Sequence, residues 1–155
     1  MSTRVARPRP RPLRRSLAYS DTDLTLDTAT RLLLRAARHE LRGELDRARD
    51  IYQKVAELDD LAAIALTRRG KVERALGDLA SAVRSLTQAL HHCVDDDEHS
   101  FAIFLELGDV HAQAGDYEEA SYHYRRALVL EPGRVEVQRR LRGALHLRYS
   151  ARQTA

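Results

Sequence analysis

The chain has no tryptophan, a single cysteine and no long apolar run. Its longest apolar segment, Leu61 to Leu66, is far shorter than the roughly 20 residues that a membrane-spanning helix needs, so we expect no transmembrane segment. The lone Cys93 excludes an internal disulfide and is compatible with a reducing compartment. With 32% charged and 43% hydrophobic residues, the 155-residue chain is typical of one soluble domain, and we expect it in the cytoplasm.

Motifs of the common enzyme classes are also missing. The chain lacks the phosphate-binding pattern G-x4-G-K-[ST], the zinc-protease pattern H-E-x-x-H and the nucleophile pattern G-x-S-x-G. The histidines His39, His111, His123 and His146 fall on separate predicted helices, and Cys93 precedes an acidic run that disfavours its thiolate. We therefore expect no enzymatic activity, no catalytic residues and no cofactor.

One segment, residues 91 to 99, does contain metal-ligand residue types. Its candidate ligands are His91, His92, Cys93, Asp95, Asp96, Asp97, Glu98 and His99. Zinc sites favour spaced pairs such as C-x2-4-C with H-x3-5-H, and calcium loops alternate oxygen ligands around a central glycine; the segment has neither pattern. We predict a hydrated acidic turn between two helices and no metal site.

The most regular segment of the chain runs from Phe101 to Arg134. Its first half places large and small residues at the three-and-four spacing of one helix face: Phe104, Leu107, Gly108 and His111. Gly115 and Asp116 break the pattern, and a second helical face follows: Tyr117, Ala120, Tyr124, Ala127 and Leu128. Small residues among large ones allow two short helices to interlock, so the segment predicts a helical hairpin that ends at Pro132.

These residues resemble the tetratricopeptide repeat, a 34-residue unit with the pattern W-x2-L-G-x2-Y, then A-x3-F and P. Phe104 takes the Trp position, and the other matching residues are Leu107, Gly108, His111, Ala120, Tyr124 and Pro132. The resemblance implies an all-α fold in which stacked hairpins form a right-handed solenoid. It also implies a concave face, lined by the leading helix of each repeat, that binds peptides.

Two weaker copies of the unit precede this segment. Gly43, Ala48 and Tyr52 repeat the spacing of Gly115, Ala120 and Tyr124, and a second set lies 34 residues further on: Gly77, Ala82 and Leu86. The leading helices of both copies depart from the pattern, because polar residues replace its Leu and Tyr: Arg35, Arg69 and Glu73. The step from Gly77 to Gly115 is longer by four residues, which lie in the segment His91 to Ser100.

We therefore predict an α-solenoid of three repeats, at residues 29–62, 63–96 and 101–134. A capping helix at residues 135–149 would cover the last repeat and present a polar outer face. The repeat domain would span residues 21–149, followed by a tail at residues 150–155. A capping-box pattern, Ser20 to Asp23, or the later pair Asp27 and Thr28 marks the start of the first helix.

Residues 1–20 differ from the rest of the chain in charge. They contain six arginines and none of the 23 acidic residues: Arg4, Arg7, Arg9, Arg11, Arg14 and Arg15. Alternating prolines in the segment RPRPRP remove amide donors and oppose helix formation, so we predict a disordered basic arm. The arm either binds nucleic acid or another anionic surface, or only keeps the chain soluble.

One stripe of the predicted leading helices avoids the core positions and would line the concave face. The residues that we expect to contact a partner are Leu33, Ala37, Glu40, Ile64, Thr67, Arg68, Lys71, Arg74, Leu105 and Asp109. Lys71 and Arg74 would contact an acidic residue of the partner, since two neighbouring cations repel each other unless an anion joins them. The Lys/Asn clamp that some family members use for a terminal carboxylate is not matched at Leu33, Ala37 or Ala102.

The sequence thus predicts an adaptor or scaffold that holds a peptide or helix of another protein in this groove. Two alternatives stay open. One is a secretion chaperone, because the type III translocator chaperones also use about three such repeats. The other is a binder of nucleic acid or an anionic surface that acts through the basic arm.

Overall fold

The computed structural model describes residues 21–58, 61–93 and 97–153, and these residues form seven α-helices without a strand. The helices are α1 (Asp21–Leu41), α2 (Leu45–Ala56), α3 (Ala62–Ala75), α4 (Leu79–His92), α5 (Asp97–Ala114), α6 (Tyr117–Leu130) and α7 (Val135–Gln153). The predicted all-α fold is confirmed. The predicted arm at residues 1–20 lies outside the described residues. None of the described helices is long and apolar enough to cross a membrane.

Consecutive helices pack as three hairpins, α1 with α2, α3 with α4 and α5 with α6, and α7 packs against α6. Each hairpin turns at a glycine with a left-handed backbone, where φ is +75° to +82°: Gly43, Gly77 and Gly115. The next residue donates its amide to the carbonyl five positions earlier at 2.9 Å in all three turns. Because a Cβ is strained at such φ values, the three glycines fix one turn geometry for every repeat.

The helices of the second and third hairpins touch at a glycine. A Cβ added to Gly70 would lie 2.6 Å from Cγ of Leu86, and one added to Gly108 would lie 2.4 Å from Cε1 of Tyr124. Both contacted side chains are buried. The interlocking of small and large residues that the sequence predicts is therefore present at both contacts.

The hydrophobic core is continuous from α3 to α7, whereas two smaller clusters support the first hairpin. The polar Arg35 of α1 is exposed, as its departure from the repeat pattern suggests. At the other end, Val137 and Ala144 of α7 are buried against α6. This helix extends to Gln153, beyond the predicted end at residue 149, and Arg148 joins its last turns to Glu118 of α6 at 2.7 Å.

The two polar residues of α3 form a buried group inside the second repeat. Nε of Arg69 lies 2.8 Å from Oε1 of Glu73, a side chain with no solvent exposure. The hydroxyl of Ser85 on α4 donates a hydrogen bond of 2.6 Å to Oε2 of the same carboxylate. A buried charge needs such partners, and here they replace the apolar and aromatic contacts that the family pattern would place there.

In the third repeat, aromatic and imidazole side chains occupy the positions that correspond to this buried group. His111 of α5 stacks on His123 of α6 with 5.2 Å between ring centroids, and Phe104 also stacks with His123, at 6.2 Å. Burial, with the nearby charges of His111 and Arg126, lowers the pKa of His123 to about 4. The imidazole is therefore neutral near pH 7 and packs as an aromatic ring.

Candidate partner-binding groove

The structure places the ten predicted contact residues on the leading helices α1, α3 and α5, and we call this set the groove. Arg68 is exposed and the other nine residues are half-buried, which is typical of an open surface above a core. Leu33 and Leu105 pack partly against core clusters, so their remaining surface is the part left for a partner. Their contact with a partner stays a prediction.

Two groove cations are paired inside the protein. Nζ of Lys71 lies 3.2 Å from Oε1 of Glu106, and Nη2 of Arg74 lies 3.4 Å from Oε2 of the same residue. Glu106 projects from α5, in the next repeat, and is 8% exposed. The fold therefore already supplies an anion between Lys71 and Arg74, which reduces the repulsion on which the expected contact with an acidic guest was based. The sequence did not identify Glu106, because its contact with α3 becomes evident only when the packing of α5 on α3 is known.

Asp109 is paired in the same way with the following helix. Arg140 of α7 forms an ion pair with Oδ2 of Asp109, and the hydroxyl of Tyr124 donates to Oδ1 at 2.8 Å. Burial and this hydrogen bond raise the pKa of Tyr124 above its ordinary value. Asp109 thus holds α5, α6 and α7 together at the edge of the groove.

Glu40 has a partner within its own repeat. The hydroxyl of Tyr52 on α2 donates a 2.6 Å hydrogen bond to its Oε2 atom. Burial, followed by this hydrogen bond, raises the pKa of Tyr52, while the positive charge of Arg68 acts in the opposite direction. Arg68 is therefore close enough to the Tyr52 hydroxyl to influence it electrostatically.

The ion pairs between repeats occupy two equivalent positions, which we call the junction pair. The first member lies one residue after the small residue at which the helices of a hairpin touch, as Lys71 follows Gly70. The second member lies two residues before the equivalent position of the next leading helix, as Glu106 precedes Gly108. The junction between the second and third repeats has Lys71 and Glu106, and the next has Asp109 and Arg140, so the charges are exchanged. Between the first and second repeats the same positions hold Ala37 and Arg68.

At the junction between the first and second repeats, Arg68 therefore has no charged residue at the other position of the junction pair. Within residues 21–58, 61–93 and 97–153 it forms neither an ion pair nor a side-chain hydrogen bond, and Glu40 makes no ion pair with it. The sequence already contained this signal. It becomes visible only when the three leading helices are aligned on their small residues, Ala36, Gly70 and Gly108.

The metal-ligand types of residues 91–99 are only partly described. Among the described residues, no group of three or more potential ligands lies together. Residues 94–96 lie outside the described part of the chain. The expected absence of a metal site therefore stays a prediction.

In the described part of the chain, seven helices in stacked hairpins with a repeated glycine turn define an α-helical repeat solenoid. Residues 60–129 match the family model of the tetratricopeptide repeat. The segment from residue 60 to residue 129 is therefore similar to tetratricopeptide repeats. No curated protein sequence matches the chain.

Solved structures of other proteins have a similar fold. The first repeat domain of human RPAP3 is 23% identical, with a TM-score of 0.72 over 82% of this chain and 97% of that one. The TPR2AB domain of yeast Sti1, in a complex with pHSP90, is 19% identical, with a TM-score of 0.74 over 81% of this chain and 49% of that one. The Yersinia enterocolitica type III secretion chaperone SycD, in complex with a peptide of the translocator YopD, is 19% identical, with a TM-score of 0.65 over 76% and 92%. At these identities the likeness is one of fold.

Proposed function

We propose that the chain is a non-enzymatic adaptor or scaffold that binds a peptide or helix of a partner protein in the groove. The observation that carries the proposal is the half-buried, mixed apolar and charged surface that three leading helices share. Neighbours of the same fold support it, because the Sti1 domain was solved in a complex with pHSP90 and SycD with a peptide of YopD.

The apolar members of the groove are distributed over the three leading helices, which suits an extended or helical guest. Leu33, Ile64 and Leu105 each come from a different repeat, and packed helices lie about 8–10 Å apart. An extended peptide advances about 3.3 Å per residue, so roughly every third side chain of such a guest would meet one of them. A helical guest would meet them with residues on one of its faces.

The charged members of the groove would select among guests. Lys71 and Arg74 share the single carboxylate of Glu106, so the three side chains together retain one positive charge. We therefore keep the proposal that this pair attracts an acidic residue of the partner, with an attraction weakened by Glu106. Partly exposed pairs of this kind favour the right partner and the rate of association more than they add affinity.

A display experiment tests groove binding without knowledge of the natural partner. Random 12-residue peptides would be selected on the full-length chain, and their affinities measured by fluorescence anisotropy. We expect the double variant Ile64→Glu with Leu105→Glu to bind the selected peptides at least tenfold more weakly, because it places two charges on the apolar surface. The matched control is Val129→Glu with Val135→Glu, two exposed apolar residues of α6 and α7 outside the groove.

The control variant should bind within twofold of the wild type, and both variants should keep the helical circular dichroism signal. Equal loss in the two variants, or no loss in the groove variant, would contradict binding in the groove. Binding by the outer helices or by the basic arm would then be the favoured interpretation.

A secretion chaperone is a second candidate, favoured by the fold shared with SycD over 92% of that protein. Affinity purification from the native host, with the intact chain and with residues 1–20 removed, separates the possibilities. Recovery of a secreted translocator supports the chaperone. Steeply salt-dependent capture of nucleic acid that requires residues 1–20 would support the arm instead, although that segment lies outside the described residues.

A further inference from the structure

The first leading helix differs from the later ones in what covers its outer edge. Val72 of α3 and Val110 of α5 lie two residues after the glycines of their hairpin contacts, and both are 1% exposed. The preceding hairpin covers this edge, as Tyr52 of α2 packs against Val72. In α1 the equivalent position holds the exposed Arg38. Within the described residues, this edge of α1 is therefore the open end of the solenoid.

Arginines and leucines share this open end on one side of α1, and we call them the edge patch. Its five members are all exposed: Leu34, Arg35, Arg38, Leu41 and Arg42. The exposed fraction is 56% for Leu34 and 88% for Leu41. The two leucines therefore present apolar surface two helical turns, or about 10 Å, apart, beside three cations.

The arginines of the edge patch have no anion of their own. In the part of the chain that the structure describes, their guanidinium groups make no ion pair and no hydrogen bond. Nearby carboxylates are engaged elsewhere, since Glu40 accepts a hydrogen bond from α2 and Glu44 pairs with Arg47 at 2.9 Å. Asp27, further back on α1, pairs with Arg31 at 2.8 Å. The patch thus presents three positive charges to an external anion.

We propose that the edge patch binds the surface of a membrane that contains anionic phospholipids. The arginines would bind lipid phosphates, which match their planar forks of donors. Leu34 and Leu41 would enter the boundary between headgroups and acyl chains, where their apolar surface leaves water. The edge patch is separate from the groove, so the proposal is independent of the function proposed above. A bound chain would hold its groove close to the membrane surface.

The composition of the patch favours a lipid surface over other partners. Nucleic acid would use the arginines alone, because single strands stack on aromatic side chains and α1 has no Phe, Tyr or Trp. A packed helix meets valine at this position in the later repeats, whereas α1 offers Arg38. A two-fold contact of two copies centred on the patch would bring like charges together. A lipid surface uses the charges and the exposed apolar atoms together.

An introduced tryptophan tests contact at the patch itself, since the chain has none. The full-length variant Leu41→Trp would be mixed with vesicles of phosphatidylcholine alone or with about one third phosphatidylserine. We expect a blue shift of its fluorescence, and quenching by brominated lipids, with the anionic vesicles only. The matched control is Val129→Trp, at an exposed residue of α6, which should show neither effect. No shift in Leu41→Trp, whether or not the chain binds the vesicles through another segment, would overturn the proposal.

Cosedimentation of full-length variants with the same vesicles measures what each half of the patch contributes. We expect at least tenfold weaker binding when the three arginines are replaced, since each basic residue at such a surface contributes about fivefold: Arg35→Gln with Arg38→Gln and Arg42→Gln. Replacing the two leucines, by Leu34→Ser with Leu41→Ser, should weaken binding about tenfold without any change in charge. Both variants should keep the helical circular dichroism signal, because every replaced residue is exposed.

Two control variants make the same changes on α6 and α7. They replace exposed residues, Arg125→Gln with Arg139→Gln and Arg142→Gln, or Val129→Ser with Val135→Ser, and should bind within about threefold of the wild type. Equal losses in patch and control variants, or no loss in the leucine variant, would overturn the proposal. Oligonucleotide binding that requires the arginines but not the leucines, without vesicle binding, would assign the patch to nucleic acid instead. A dimer, seen by sedimentation velocity, that the leucine variant dissociates would assign it to a second copy of the chain.

Discussion

The second and third repeats use the same two interior positions in opposite ways. Glu73 and Ser85 occupy in the second repeat the places that His111 and His123 occupy in the third. The first pair is a charged hydrogen bond of 2.6 Å, and the second is a ring stack with centroids 5.2 Å apart. The glycine turns and the close glycine contacts are the same in both repeats, so they define the hairpin and leave this pair free to vary.

The comparison shows what the fold requires at a variable interior position. A carboxylate without solvent exposure is tolerated because Arg69 forms an ion pair with one of its oxygens and the Ser85 hydroxyl donates to the other. An imidazole is tolerated because it stays neutral and stacks. The position thus accepts either a carboxylate with an ion pair and a hydrogen bond or a stacked neutral ring.

The largest effect should come from removing the cation of the second repeat. Arg69→Met leaves the fully buried carboxylate of Glu73 with a hydroxyl as its remaining partner, and an uncompensated buried charge is strongly destabilising. We expect a loss of about 3 kcal/mol in the free energy of unfolding, at the low end for buried pairs because Arg69 is partly exposed. Urea denaturation followed by circular dichroism measures it.

The control for this experiment removes both charges. Arg69→Leu with Glu73→Met should lie within about 1 kcal/mol of the wild type, because an apolar pair of similar volume needs no partner. Ser85 can then donate to a backbone carbonyl one turn earlier. A double variant as unstable as Arg69→Met would show that the contacts of Arg69 with Glu73 and Gln53, and not the orphaned carboxylate, carry the stability.

A smaller effect should distinguish the two glycine contacts. A methyl group on Gly108 meets the ring of Tyr124, whose hydroxyl is held by Asp109, whereas one on Gly70 meets the more flexible side chain of Leu86. Overpacking costs about 1–3 kcal/mol, and the better helix propensity of alanine offsets up to about 1 kcal/mol. We expect net losses of about 2 kcal/mol for Gly108→Ala and about 1 kcal/mol for Gly70→Ala.

Gly143→Ala is the matched control for both substitutions. It lies in the middle of α7, and an added Cβ would meet nothing within 4 Å. We expect it to stabilise the protein by up to about 1 kcal/mol. Losses of similar size at all three positions would mean that contact between the hairpin helices is not what the two glycines provide.

Much of the fold follows from spacing that the sequence displays directly. Glycines such as Gly43 and Gly77 mark turns that need a left-handed backbone, and the alternation of small and large residues marks helices that touch. These signals are local, so the helices of the described residues and their pairing could be predicted. The end of α7 could not, because ion pairs with Glu118 of α6 accompany its last turns.

The groove was harder to predict because its charges interact between repeats. The sequence identified Lys71 and Arg74 as groove cations and did not identify Glu106, although the three side chains form one group. Pairing between residues some 30 positions apart depends on which helices become neighbours. Arg68 was included as one cation among several, and only the complete junction pairs show that it differs from the others.

The smallest effect should appear as a pH dependence that His123 contributes to the third repeat. His123 has a pKa of about 4 in the folded protein, below its unfolded value near 6.5, so the unfolded chain binds its proton more readily. The stability that depends on the neutral ring is complete above about pH 6.5, falls as the pH drops and levels off below about pH 4. Allowing for partial exposure, we expect His123 to account for about 1 kcal/mol of this loss. Urea midpoints measured between pH 7.5 and 4 for the wild type and for His123→Phe isolate this contribution, since all other titrating groups are shared. The phenylalanine variant should lose less stability on acidification, and parallel curves for the two proteins would show that His123 does not exchange its proton on unfolding.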